Sequence, residues 1–160
     1  MSPSPAHNIQ RRLGEILIGK GLLTQLQLEA ALERQKRTKE FLGAILLKNN
    51  LIEEKCLLEA LSEQCGIPVI SLKNRYIDWE FVKQFSPELI LDYKCLPVEK
   101  DDWTVTVAIT NPLDVWPIKK AEEEARGLKL KLALVSEEEM REAIERYREF
   151  MRKNTSKIFK

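Results

Sequence analysis

One histidine and three cysteines are too few for most of the chemistry a 160-residue chain might perform. His7 lies in a polar, proline-containing leader, so neither a Ser/His/Asp triad nor a histidine-rich metal site can be assembled. Cys56, Cys65 and Cys95 are odd in number and lack CxxC spacing, which points to reduced structural thiols rather than a disulfide framework. No apolar run approaches the roughly 20 residues a bilayer span needs, and the opening MSPSPAHNIQ has no hydrophobic signal core. The expected location is therefore cytoplasmic, with no direct membrane insertion. A formal net charge of +1 supplies no broad field for a nucleic acid polymer or an anionic membrane. A phosphate loop is also missing. Gly14 to Gly21 reads GEILIGKG, but a glycine stands where a magnesium-binding hydroxyl is required, and no strand precedes it.

What the chain does contain is a duplication. Arg12 to Gln35 (RLGEILIGKGLLTQLQLEAALERQ) returns as Phe41 to Gln64 (FLGAILLKNNLIEEKCLLEALSEQ). A shift of 29 residues pairs Leu13 with Leu42, Gly14 with Gly43, Ile16 with Ile45, Leu17 with Leu46 and Leu22 with Leu51. It also pairs Leu28 with Leu57, Ala31 with Ala60, Leu32 with Leu61 and Gln35 with Gln64. These identities define a tandem repeat.

Each copy reads as a helix hairpin. In the first, Leu13, Ile16, Leu17 and Lys20 have helical spacing, Gly21 suits a left-handed cap, and Thr24 with Gln27 forms a capping box for a second helix. In the second, Asn49-Asn50 takes the turn, asparagine being next after glycine in tolerating that conformation. Two hairpins with matching apolar faces imply a four-helix module ending near Cys65.

The remainder alternates strand and helix signals. Val69 to Leu72 reads as a short strand, Asp78 as a cap for a helix to Phe85, and Ser86-Pro87 as the start of another. Leu96 to Val98 and Trp103 to Ile109 flank the charged turn Glu99 to Asp102 as a hairpin, with Trp103 on the apolar face. A helix from Asp114 to Arg126, a strand from Leu128 to Val135 and a helix capped by Ser136 and Glu139 complete the pattern. The expected fold class is α+β, a helical module of two tandem hairpins followed by a small mixed α/β subdomain. The expected divisions are a flexible leader at 1–10, the repeat subdomain at 11–65, the α/β subdomain at 66–152 and a frayed tail at 153–160.

The leucine-glycine pairs Leu13-Gly14 and Leu42-Gly43 read as the starts of the first helices. A glycine there allows either close approach of a phosphate to unpaired backbone N–H groups or close packing of two helices. Gln35 and Gln64, late in the longer helices, carry amides able to donate and accept on a base edge or simply to face solvent.

These segments resemble the pattern RLGxxLxxxGxLxxxxLxxALxxQ of the MshEN-type cyclic-di-GMP-binding domain, found at the N-termini of type II secretion and type IV pilus assembly ATPases. Leu96-Pro97-Val98, the segment from Thr104 to Asp114 and the capped terminal helix are similar to that family too, so the likeness covers roughly residues 10 to 150. It implies a non-enzymatic regulatory module, with cyclic-di-GMP as ligand rather than a resident cofactor. It also implies a secretion or pilus ATPase, or its inner-membrane platform protein, as partner, and a place at the inner face of the inner membrane through such partners. The contacts it implies are Arg12, Leu13, Gly14, Leu17, Leu28 and Gln35 in the first copy and Leu42, Gly43, Leu46, Leu57 and Gln64 in the second. Three departures stand out: Phe41 where an arginine is usual, Asn50 for the turn glycine, and Asn111 at the first position of a D-P-x-D-like segment. The alternative is a ligand-free docking domain linking the motor to its platform.

Overall fold

A computed structural model describes residues 5–158 of the chain. The fold is α+β, and the chain divides into two compact units, Met1–Gly66 and Ile67–Lys160.

The first unit is helical: α1 (Pro5–Gly19), α2 (Gln25–Thr38), α3 (Leu42–Lys48) and α4 (Glu54–Cys65). The anticipated capping box is present: Thr24 Oγ1 accepts from the Gln27 N–H at 3.1 Å, and Gln27 Oε1 accepts from the Thr24 N–H at 3.0 Å. Its counterpart Glu53 makes no side-chain cap. The two turns nevertheless match bond for bond. Gly21 (φ +73°) donates to Ile18 O and Leu22 to Leu17 O, while Asn50 (φ +54°) donates to Leu47 O and Leu51 to Leu46 O. Gly66, at φ +67°, ends α4.

Helix α1 begins at Pro5, so residues 5–10 of the expected leader are helical and residues 1–4 lie outside the described residues.

The second unit holds a three-stranded mixed sheet in the order β1-β2-β3. Strand β1 (Leu96–Lys100) runs antiparallel to β2 (Thr104–Ile109), with a bulge between Pro97 and Glu99. β2 lies parallel to β3 (Lys129–Leu134), and the connection between them contains α7 (Val115–Glu124). Short helices α5 (Trp79–Val82) and α6 (Pro87–Leu91) precede the sheet, capped by Asp78 and Ser86 as their sequences require. Glu124, in the last turn of α7, accepts from both the N–H and the hydroxyl of Ser86 at 2.7 Å, tying the start of α6 to the end of α7. Helix α8 (Glu137–Ile158) buries Met140, Ala143, Ile144 and Tyr147.

Three local expectations are corrected. Val69 to Leu72 is not a strand. Val69 makes one parallel bridge to Leu134, after which Ser71 Oγ and the Lys73 N–H turn to the Glu139 carboxylate instead. Trp103 is 80% exposed and precedes the strand, because Asp101 Oδ1 accepts the N–H groups of both Trp103 and Thr104 and delays the ladder. Glu99 and Lys100, assigned to the turn, instead belong to β1. The frayed tail is also absent up to Ile158. The Lys153–Glu149 pair at 3.3 Å and half-buried Met151 and Asn154 accompany the continuing helix.

Cys95 is buried, its Sγ donating to the Pro117 carbonyl at 3.4 Å, and burial pushes its thiol up to about 12. The folded chain therefore holds a proton that the unfolded chain releases near its ordinary value of 9.0. This contribution to stability is complete below that pH and is lost as pH rises towards 12. Urea unfolding midpoints should fall less steeply between those limits in Cys95→Ala than in the native chain. Equal slopes would remove Cys95 from the alkaline transition. In the turn, Asn50→Ala should lower stability by about 1 kcal/mol while Asn50→Gly does not, read from the same curves.

Candidate ligand-binding face of the tandem repeats

The two hairpins pack reciprocally. The first helix of one copy lies against the second helix of the other, α1 on α4 and α3 on α2. This is the arrangement a duplicated unit adopts about a pseudo-two-fold axis.

Within each hairpin the glycine meets the leucine 14 residues later. A methyl group at Gly14 would fall on the Leu28 side chain, 2.8 Å from Cδ2, and one at Gly43 would lie 3.0 Å from Leu57 Cδ2. Both glycines are buried. They act as notches that receive a leucine from the facing helix. The phosphate-approach reading is corrected for the first copy, because Gly14 sits inside α1 and not at a helix start. Leu42 and Gly43 do occupy the first turn of α3.

The sequence-predicted leucines are core. Leu13, Leu17, Leu28, Leu42 and Leu46 are all fully buried, and Leu57 is 8% exposed. They form the core of the repeat unit. Arg12 is exposed and carries no ion pair among the described residues. Gln35 and Phe41 are half-buried. Gln64 is half-buried as well: its Nε2 donates to the Ile9 carbonyl at 2.8 Å, while its Oε1 is enclosed without a partner. An unpaired enclosed acceptor costs about 1–3 kcal/mol, so the site is short of one donor.

Arg12 also lies near Cys65. Partial burial raises that otherwise exposed thiol above its ordinary range, and the Arg12 charge partly offsets the rise. Asn111 belongs to the second unit, where it is half-buried and its Oδ1 accepts from the Leu113 N–H at 3.0 Å, closing a turn. A cleft of about 530 Å³ lies in the same unit, lined by Leu72, Lys73, Tyr76, Glu139, Glu142 and Arg146 among others, and contains none of the sequence-predicted site residues. Among the described residues no cluster of His, Cys, Asp or Glu could hold a metal ion, and no helix is long and apolar enough to cross a membrane.

Sequence reasoning missed the residues just ahead of the motif. Arg11 bonds Glu29 at 3.1 Å and Glu40 bonds Lys48 at 2.6 Å. They are equivalent positions of opposite charge, a signal visible once the alignment is extended by one residue.

The family model for the MshEN domain matches residues 65–154. The chain belongs to the MshEN domain family. MshEN domains are small regulatory parts of ATPases, not themselves catalytic. The type IV pilus assembly ATPase PilB of Myxococcus xanthus is 32% identical over 136 residues, 85% of this chain and 24% of that protein. PilB of Thermus thermophilus is 30% identical over 115 residues, 71% of this chain and 13% of that protein. The chain thus spans a quarter or less of these relatives. A solved structure of MshE with cdg (cyclic-di-GMP) is similar at a TM-score of 0.78 and 26% identity, covering 85% of this MshEN chain and 98% of that one. The N-terminal domain of XpsE shares the fold at a TM-score of 0.68 and 23% identity, with 91% and 98% covered. The matched family segment lies almost wholly in the second unit, outside the repeats, whereas the MshE likeness covers too much of the chain to be confined to that unit.

The notches make a direct expectation. Gly14→Ala gains about 1 kcal/mol of helix propensity but must displace Leu28, and overpacking costs about 1–3 kcal/mol, so a net loss is expected. At Gly43 the contact is looser and the two effects should nearly cancel. Urea denaturation of the two variants would measure the difference, and equal effects would contradict the notch geometry.

Proposed function

We propose that the tandem-repeat unit binds cyclic-di-GMP, one motif to each half of the nucleotide, and that occupancy modulates a pilus or secretion ATPase on the cytoplasmic side of the inner membrane. The observation that carries this reading is the likeness to MshE solved with cdg, which extends beyond the family-matched segment into the repeats. The chemistry is complementary. A cyclic dinucleotide has two equivalent halves, and the repeats are related as two equivalent halves. Its phosphates suit the guanidinium of Arg12, exposed and without an ion pair among the described residues, and a guanine edge suits the half-buried amide of Gln64. Gln35 is the corresponding amide of the first copy. The buried leucines hold these groups in place, so the ligand would meet a formed surface rather than order one.

A docking role without nucleotide is the second reading. Val115 and Trp116, at the start of α7, are 54% and 66% exposed, and an exposed tryptophan is a common anchor for a protein partner such as a platform subunit.

Calorimetric titration of the domain with cyclic-di-GMP, with GTP and ATP as controls, separates the two. Saturable micromolar binding, weakened at least about tenfold in Arg12→Ala, is expected if a charge-assisted phosphate bond is lost. Absence of heat with every nucleotide would favour docking.

A further inference from the structure

The 29-residue shift that superposes the motifs carries Arg11 onto Glu40 and Arg12 onto Phe41, so equivalent corners of the repeat differ in charge. At the first corner Arg11 is neutralised by Glu29 at 3.1 Å, which leaves Arg12 exposed and positive. At the second, Glu40 accepts from Lys48 at 2.6 Å. The bond from Lys48 holds the Glu40 carboxyl below the usual carboxylate range, so it remains ionised at neutral pH, and it also occupies the nearest cation. Phe41, half-buried, stands in the place of Arg12 with an apolar face and no donor. The corners also differ in backbone, since position 12 is inside α1 and Phe41 is the residue before α3.

We infer that the two half-sites are unequal: the Arg12 corner takes an anionic phosphate, whereas at the Glu40–Phe41 corner the Lys48 charge is spent on Glu40 and a phenyl surface is offered to the nucleotide. This rests on the cyclic-di-GMP reading and adds that the ligand is held by charge at one end only. Its second phosphate stays in water, where the pairing with solvent is not lost. Phe41 and Glu40 are then the residues that set affinity, keeping it below what two arginine corners would give.

The test is calorimetry with cyclic-di-GMP on the native domain, Phe41→Arg and Glu40→Gln, with thermal melts to establish that each variant is folded. Phe41→Arg should tighten binding by about tenfold and become more sensitive to added salt; Glu40→Gln should tighten it by about threefold. If the native domain binds and neither substitution tightens it, the inequality is wrong while the ligand assignment stands. If the native domain does not bind but Phe41→Arg does, the inequality stands and the native chain has lost the ligand through this corner. If none of the three binds, both ideas fall.

Discussion

At residue 14 there is no room for a side chain, because Leu28 enters the space a methyl group would take, and at residue 43 Leu57 leaves only a tight 3.0 Å. The crossing of each hairpin depends on that contact, and the rest of the repeat unit follows from it. Helices brought so close bury Leu13, Leu17, Leu42 and Leu46 completely. The matched turns at Gly21 and Asn50 then return the chain through equivalent hydrogen bonds in both copies. Because the hairpins are alike, they can exchange faces reciprocally, which places equivalent residues on equivalent corners of one unit.

This division of labour changes what a repeated motif means. The most regular residues of the pattern, leucine and glycine, are structural, and repetition preserves them because the same crossing is made twice. The copies depart from one another just ahead of the leucines: exposed Arg12 against half-buried Phe41, and Arg11 against Glu40, each of that second pair in an ion pair of its own. A regulatory function in an MshEN domain would be tuned at such positions without disturbing the core.

Much of the fold was legible because its signals are local. Thr24 with Gln27, Asp78, Ser86 with Pro87, and Ser136 with Glu139 all announce helix starts, and Thr24, Asp78, Ser86 and Ser136 each accept an N–H there, although Glu139 gives its carboxylate to Ser71 and Lys73 instead of closing a box. The errors arose where side chains at a distance decide the outcome. Glu139 draws the backbone after Ile70 away from β3, and Asp101 takes the N–H groups around Trp103; neither bond has a periodic signature. That residues 5–10 are helical was hidden by the polar, proline-containing composition of the leader. Of the candidate site, the positions were visible but their burial was not. Spacing alone gives glycine two roles, and only the Leu28 contact distinguishes them. Asn111 matched a motif position, yet its side chain closes its own turn.

The central claim is that recognition resides on the polar corners of the repeat unit above a leucine floor. Backbone and side-chain amide NMR of the isotopically labelled domain during addition of cyclic-di-GMP tests it most directly. The account predicts the largest saturable shifts at Arg12, Gln35, Phe41 and Gln64. Shifts confined to residues of the second unit, such as those lining the Lys73–Arg146 cleft, would contradict it.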